Sequence, residues 1–336
     1  MRVGVRCDAG ARTGVGHLIR CMALAEELVS RGAEVVVLGD VAVGWAAAEL
    51  AARGLSVKPG FDTPADAVRA ARDMALDVMV LDSYELDPAC AGALRSSGVR
   101  VLAIVDDDPR GQDANIYLDQ NLGAEDLDVY VAPGAVRLAG VRYALLRDSV
   151  RVLRPPAPPV ARPADRPRVF CFFGGTDAFG AAPVVARLLV ETARPFEATV
   201  VVGRTDTARA LEALATGPGQ SVVAVPPTDQ VPRLIAGADL TVSASGTSTW
   251  ELLCLGAAAA LVWVADNQII GFERVVSRGL AAGLGRLAVL QAGAAPEAVE
   301  TLRAMLVDPE YRTQLSARAW AEVDGHGRAR VADALC

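Results

Sequence analysis

Short apolar runs alternate with segments of helical periodicity along the first 150 residues of the chain. Residues 3–6, 77–82 and 99–105 are almost continuously apolar, which is typical of strands buried on both faces of a parallel sheet. Apolar positions recur at helical spacing in residues 18–31, with Leu18, Met22, Leu24, Ala25 and Leu28 on the predicted buried face. This alternation predicts an α/β domain whose last strand is residues 116–118.

A proline-rich segment separates this region from a second one with the same pattern. Residues 154–167 read RPPAPPVARPADRP, which is typical of an extended linker. Beyond it, residues 168–268 again alternate strand and helix patterns, and helices are expected to fill the remainder. We therefore predict an N-terminal sugar-binding and catalytic domain at 1–153, a linker at 154–167 and a C-terminal nucleotide-binding domain at 168–336. Two such halves imply a cleft between them.

Composition narrows the range of functions. The chain has 336 residues, a formal net charge of −7 and no arginine-rich run, which argues against nucleic acid as a main partner. The six cysteines show no CxxC spacing, so we expect reduced, buried thiols in a cytoplasmic protein and no metal site. The apolar run 256–265 is too short for a bilayer, and the strand pattern of the first residues leads us to expect no signal peptide.

The segment Gly14-Val15-Gly16-His17 follows the first predicted strand and opens the first predicted helix. Ligands of α/β sheets bind at such positions. The positive end of the helix dipole favours a neutral imidazole, which can act as a base. The alternative is structural: the glycines form a tight turn and His17 caps the helix.

Two loops of the second half are candidates for binding a diphosphate. Each follows a predicted strand and opens a helix, where backbone N–H groups and the helix dipole favour an anion. Neither has the GKS or GKT of a Walker A loop, and the alternative is that their hydroxyl residues are ordinary helix caps. A carboxylate one turn into the second helix could accept hydrogen bonds from ribose. The residues assigned to this nucleotide site are Gly174, Gly175, Thr176, Gly246, Thr247, Ser248 and Glu251.

Several motifs, in order over nearly the whole chain, resemble one enzyme family. They include RCDAGARTGVGHLIRCMALAEEL, VLDSYELD, AIVDDD, YLDQNLGA, FGGTD, SGTSTWELLCLG, ADNQ and DGHGRARV. Together they resemble the UDP-2,4-diacetamido-2,4,6-trideoxy-β-L-altropyranose hydrolases of pseudaminic acid biosynthesis and their spore-coat polysaccharide relatives. The resemblance implies a GT-B fold, in which two Rossmann-like domains with parallel sheets face each other across a cleft. It also implies that UDP is held mainly by the C-terminal domain and that no cofactor is needed.

The resemblance further implies that water attacks the anomeric carbon of a UDP-sugar, releasing UDP with inversion. His17 matches the catalytic histidine, which would act as general base. The N–H groups of Gly175, Gly246, Thr247 and Ser248 would stabilise the departing diphosphate without a metal. The remaining substrate contacts are expected to be Asp8, Gly14, Gly16, Tyr84, Asp107 and Asn121, with Asn267 and Gln268 near the nucleotide sugar.

The sugar side departs from the family pattern at two places. Gly10 stands where the family often has serine, and Ser83 where it often has histidine, so the sugar and its acceptor stay open. Two other functions also remain: a GT-B glycosyltransferase that moves the sugar to a soluble acceptor, and a non-catalytic nucleotide-sugar-binding protein. Release of UDP without an added acceptor would distinguish the hydrolase. The sequence makes no prediction of the oligomeric state.

Overall fold

The apolar runs form the strands of two separate parallel sheets. The computed structural model describes residues 1–10, 15–174, 177–293 and 295–336. Contacts divide the chain into a first unit, residues 1–148 and 325–336, and a second unit, residues 149–324.

The described strands of the first unit form a seven-stranded sheet in the order β3-β2-β1-β4-β5-β6-β7. Its strands are β1 (Arg2–Cys7), β2 (Glu34–Leu38), β3 (Ser56–Lys58), β4 (Val78–Asp82), β5 (Arg100–Ile104), β6 (Ile116–Asp119) and β7 (Val136–Ala139). Its helices are α1 (Gly16–Ser30), α2 (Gly44–Ala52), α3 (Pro64–Asp73) and α4 (Ala89–Ser96), and α5 (Asp148–Arg151) lies at the unit boundary. Short 3-10 helices cover Ala124–Asp126 and Val141–Tyr143.

The strongest predictions for this unit are confirmed. All of β4 is buried, and the five apolar residues predicted for the inner face of α1 are at most 1% exposed. The sequence analysis missed β7, because this edge strand buries only Leu138 and leaves Val136 exposed, so it lacks a continuous apolar run.

The described strands of the second unit form a six-stranded sheet in the order β10-β9-β8-β11-β12-β13. Its strands are β8 (Arg168–Phe172), β9 (Phe196–Val201), β10 (Gln220–Val225), β11 (Leu240–Ala244), β12 (Ala259–Trp263) and β13 (Ala282–Arg286). Its helices are α6 (Ala181–Glu191), α7 (Thr205–Glu212), α8 (Val231–Gly237), α9 (Ser248–Leu255), α10 (Ile269–Ser277), α11 (Leu287–Gln291), α12 (Pro296–Val307) and α13 (Pro309–Glu322), with a 3-10 helix at Asp266–Gln268.

The expectation that only helices follow residue 268 is wrong, because β13 forms the edge of this sheet. Two glycines interrupt the apolar pattern of β13 and hid it. A Cβ at Gly283 would stand 3.0 Å from the ring of Phe272, so a larger residue there would need this side chain to shift.

The proline-rich segment is anchored to the second unit along its length. Arg154 donates to the carbonyls of Cys254, Trp320 and Val323 at 2.5–2.8 Å, and its guanidinium lies 4.4 Å from the centre of the Trp320 ring. Trp320 in turn donates its indole N–H to the carbonyl of Pro155 at 2.9 Å. The segment predicted as an extended linker is therefore packed as part of the second unit.

The C-terminal helix α14 (Gly327–Leu335) belongs to the first unit, although the sequence analysis assigned it to the second domain. Its apolar face is buried in the core that contains α1. Arg328, whose side chain is 4% exposed, lies 2.8 Å from Glu26, 3.1 Å from Glu27 and 2.5 Å from Asp148. These ion pairs fasten α14 to α1, so the unit boundaries fall at 148 and 324 rather than at 153.

The six cysteines are free, and Cys336 is exposed, contrary to the expectation that all are buried. In the described parts of the chain, no helix combines the length and apolar character needed to cross a membrane.

Replacing Arg328 with alanine is expected to lower the free energy of unfolding by roughly 1.5–3 kcal/mol, because Glu26 and Glu27 lose a buried hydrogen-bond partner and keep only Arg53 and Arg31. Urea unfolding followed by circular dichroism measures this loss. The exposed Arg72→Ala variant is the control and is expected to change stability by less than about 0.5 kcal/mol. Equal effects of the two substitutions would show that Arg328 does not fasten α14.

Candidate functional site

Sheet register brings the polar residues of the first unit to one edge. In the pairing of β1 with β4, Cys7 lies beside Asp82, so these two parallel strands end together. The loop after β1 leads into α1, whose first turn carries His17. The ends of β5 and β6 lie at the same edge and contribute the segments that contain Asp106 and Asn121.

His17 is held by a buried carboxylate. Its Nδ1 lies 2.6 Å from Oδ1 of Asp82, which is 1% exposed, while the imidazole is 16% exposed. Arg20, one turn further along α1, donates from Nε to Oδ2 at 2.7 Å and from a terminal nitrogen to Oδ1 at 2.6 Å. This bidentate contact compensates the buried charge of Asp82.

The charge balance around Asp82 determines which ring nitrogen carries the proton. Burial by itself would raise the pKa of Asp82, but the Arg20 guanidinium and His17 outweigh it and hold that pKa well below its ordinary value. An ionised carboxylate only accepts hydrogen bonds, so Nδ1 of His17 is the donor. In the neutral imidazole, Nε2 then keeps its lone pair, which makes His17 an oriented base.

Tyr84 and Asp106 extend this arrangement. The Tyr84 ring meets the His17 ring edge-on, with centroids 4.9 Å apart, and its hydroxyl donates to Asp106. Asp106 also lies 3.3 Å from Arg20 and accepts from the Asn121 side chain at 2.9 Å. Burial of the hydroxyl and the neighbouring Asp106 charge raise the pKa of Tyr84, so this phenol stays protonated. For Asp106, Arg20 and the hydrogen bonds from Tyr84 and Asn121 outweigh burial and lower the pKa.

Asp119, at the end of β6, holds the loops that carry this network. It accepts from the backbone N–H groups of Asp107 and Asn121, both at 3.0 Å. Burial raises the pKa of Asp119, and the two N–H contacts oppose that rise. Asp119 therefore connects the loop that contains Asp107 with the loop that contains Asn121.

The structure brings together some of the predicted sugar-side residues. His17, Tyr84 and Asn121 share one network, and Gly16 begins α1 beside it. Asp8 instead forms an ion pair with Arg6 at 2.7 Å and accepts from the backbone of Asp40. Gly14 lies outside the described residues.

Sequence reasoning missed the residues that orient His17. Asp82, Arg20 and Asp106 were not among the predicted site residues. The available signal was the acid that ends the apolar run 77–82, together with a basic residue three positions after His17, on the same helix face. Their connection depends on strand order, which the pattern alone did not specify.

In the second unit, the loop between β11 and α9 leaves donors available. Of its first amides, Ser245 donates to the Val262 carbonyl and Gly246 to the Ala244 carbonyl. The N–H groups of Thr247 and Ser248 donate to no residue that the structure describes. This helix start therefore leaves the N–H groups of Thr247 and Ser248 available, whereas the N–H of Gly246, also predicted to face the diphosphate, is used by the Ala244 carbonyl.

Predicted residues from the next loop lie beside this helix start. A Cβ on Gly246 would stand 3.6 Å from Nε2 of Gln268, whose Oε1 accepts from the Val264 N–H at 3.0 Å. Asn267 occupies the same short 3-10 helix as Gln268, and Glu251 is buried in the first turn of α9.

The other predicted helix start is already occupied. Asp177 accepts from the N–H groups of Ala181 and Ala182, at 2.8 and 3.0 Å, and so caps α6. A phosphate predicted at this loop would therefore not use the N–H groups of Ala181 and Ala182, which Asp177 already accepts. Gly174 has the left-handed φ of +76°, whereas Gly175 and Thr176 lie outside the described residues.

No group of three or more potential metal ligands occurs among the described His, Cys, Asp and Glu residues.

Comparisons with known proteins identify the fold. No protein-family model and no curated protein matches the sequence. Among solved structures, MurG of Acinetobacter baumannii is 17% identical, with a TM-score of 0.73 over 99% of this chain and 98% of that chain. The glycotransferase of kitacinnamycin is 19% identical, with a TM-score of 0.66 over 99% of this chain and 98% of that chain. S. aureus MnaA with UDP is 9% identical, with a TM-score of 0.66 over 99% of this chain and 95% of that chain.

The fold is GT-B. At these identities the likeness extends to the fold and not to the site, since one fold supports many activities.

The lowered pKa of Asp82 predicts a specific loss of stability in acid. Because its folded pKa lies below the unfolded value of about 3.9, its stabilisation is complete above that value and is lost as the pH falls from there toward the folded pKa. Between pH 5 and 3, Asp82→Asn is expected to reduce the pH-dependent loss of unfolding free energy by ~1 kcal/mol.

Urea unfolding at each pH measures this difference. Asp73→Asn, at the exposed end of α3, is the control and should keep the dependence of the parent protein. If Asp82→Asn also keeps it, Asp82 is not held ionised by Arg20 and His17.

Proposed function

We propose that this protein is an enzyme that hydrolyses a UDP-activated amino or deoxy sugar at its anomeric carbon, releasing UDP with inversion. The observation that carries the proposal is the His17–Asp82 contact of 2.6 Å, which fixes the imidazole with Nδ1 on the carboxylate and leaves Nε2 for the substrate. The GT-B fold supports it, since S. aureus MnaA of the same fold has been solved with UDP. The family resemblance of the motifs supports the choice of water as acceptor.

In the proposed reaction, Nε2 of His17 removes a proton from water as the water oxygen bonds to the anomeric carbon. The bond from that carbon to the diphosphate oxygen breaks, and its electron pair leaves with UDP. Asp82 stabilises the imidazolium that forms, as a carboxylate partner does in other histidine-based sites. Attack on the side opposite the leaving group inverts the anomeric carbon.

The two units have separate tasks in this proposal. We assign the sugar to the first unit, with Tyr84 and Asn121 as contacts. The diphosphate is assigned to the second unit, where the N–H groups of Thr247 and Ser248 are available as donors. Such donors stabilise developing negative charge without a metal ion. Gln268 and Asn267 are the proposed contacts to the nucleotide sugar.

A glycosyltransferase is the second candidate. One protein with the same fold is the glycotransferase of kitacinnamycin, and an oriented imidazole can deprotonate a sugar hydroxyl as well as water. A screen of UDP-sugars, read by mass spectrometry with and without soluble acceptors, separates the two functions. UDP and a free reducing sugar without acceptor support the hydrolase, whereas UDP release only with acceptor supports the transferase. Tight UDP binding without any turnover would instead indicate a binding protein.

Replacing His17 with alanine is expected to lower the rate of UDP release by about 10²–10⁴-fold, because the general base is removed. Mass spectrometry of released UDP measures the rate. The chain offers a matched control in its second histidine, the exposed His326, and His326→Ala should retain the parent rate. A His17→Ala rate within a few-fold of the parent would refute the assigned role.

The diphosphate assignment predicts a selective effect of removing one N–H group. Thr247→Pro deletes the donor, and the φ of −55° at this position suits proline. Isothermal titration calorimetry with UDP is expected to show roughly a tenfold or greater loss of affinity, because the lost hydrogen bond is to a charged group. Thr247→Ala keeps the N–H and serves as control. Equal affinities of the two variants would place the diphosphate elsewhere.

A further inference from the structure

We propose that Arg110 is a positioning residue that holds Tyr84 against His17. This inference rests on the proposed function only for its kinetic consequence, since the contacts themselves belong to the first unit.

Arg110 contacts the Tyr84 segment at two points. Its guanidinium carbon lies 4.8 Å from the centre of the Tyr84 ring, within the range of a cation–π interaction. Its NH2 group donates to the backbone carbonyl of Ser83 at 2.8 Å. One side chain therefore restrains both the ring and the backbone that precedes it.

The conformation of the loop after β5 places the Arg110 side chain next to Tyr84. Asp108 bends back to form an isolated bridge with Asp106, and its side chain accepts from the Arg110 N–H at 2.8 Å. Arg110 has the left-handed φ of +53°, which is uncommon for a residue with a side chain. The backbone at Arg110 thus adopts an unfavourable conformation in the arrangement in which its side chain contacts Ser83 and Tyr84.

Arg110 has no acidic partner among the described residues, although several aspartates flank it in sequence. Its Nε is buried and lacks a hydrogen-bond partner in the described structure. The contacts that fix its guanidinium are therefore those to Ser83 and Tyr84. In a surface ion pair, by contrast, the guanidinium would contact a carboxylate.

Tyr84 needs such a restraint because the residue is 53% exposed and lies on a loop. Asp106 holds its hydroxyl, and the Ser83 hydroxyl accepts from the N–H groups of Glu85 and Leu86 at 3.2–3.3 Å. The orientation of the Tyr84 ring plane therefore depends on its contacts with His17 and Arg110. Without Arg110, the ring would leave its edge-on contact with His17 for part of the time.

A double-mutant cycle tests the kinetic consequence. Arg110→Ala is expected to lower kcat/KM for UDP release by about three- to tenfold, which is the range of a partly exposed cation–π contact. In a Tyr84→Ala background, Arg110→Ala should have almost no further effect, because Arg110 acts through Tyr84. Arg110→Lys should recover part of the loss, and Arg72→Ala is the exposed-arginine control. Additive effects of the two alanine substitutions would overturn the proposal.

A readout without substrate separates this inference from the proposed function. The chain has two histidines, so the imidazole ring-proton signals of His17 can be assigned by NMR with a His17→Gln variant. Tyr84→Ala should shift the His17 signals through loss of the ring current. Arg110→Ala should shift them in the same direction by a smaller amount and leave His326 unchanged.

Each outcome bears on one claim. His17 signals that stay at their parent positions in Arg110→Ala would overturn the positioning role, even if UDP is released. The expected shifts in a protein that releases no UDP from any nucleotide sugar would retain the positioning role and reject the proposed function.

Discussion

The contact between the Arg20 guanidinium and the Asp82 carboxylate is the interaction on which the first unit depends. A buried carboxylate is costly unless it is paired and hydrogen-bonded, and Arg20 occupies both of its oxygens at 2.6 and 2.7 Å. That pairing keeps Asp82 ionised, and ionised Asp82 sets the orientation and the proton of the His17 ring. Arg20 also reaches Asp106, which accepts from the Tyr84 hydroxyl. One arginine on α1 thus connects the ends of β4 and β5 with the imidazole.

The second unit contains two loops of similar sequence that the structure treats differently. At α6, the Asp177 carboxylate takes up the N–H groups, so the helix stabilises itself. At α9, two N–H groups stay available and Gln268 lies nearby. The difference is Asp177, which follows Gly174 and Gly175 in the loop before α6. A capping carboxylate and a bound phosphate compete for the same N–H donors.

The sequence predicts the parts of the fold where burial is continuous. Strands β1, β4, β5 and β6 and the inner face of α1 follow from the apolar pattern alone. The prediction fails where local pattern and tertiary packing diverge: β7 is a half-exposed edge, and glycines interrupt β13. It also fails for α14, whose place in the first unit depends on Arg328 and three carboxylates far away in sequence. The site shows the same limit, since His17 and Tyr84 carry motif signals, whereas Asp82 and Arg20 gain their roles only from the strand order.

The most direct test is the tautomer of His17 in the free protein, measured by long-range ¹H–¹⁵N NMR of the two imidazole rings. The Asp82 contact predicts that neutral His17 carries its proton on Nδ1 and has an unprotonated Nε2, and that Asp82→Asn removes this preference. A neutral His17 with its proton on Nε2 would contradict the central claim, because the nitrogen assigned as the base would have no lone pair available.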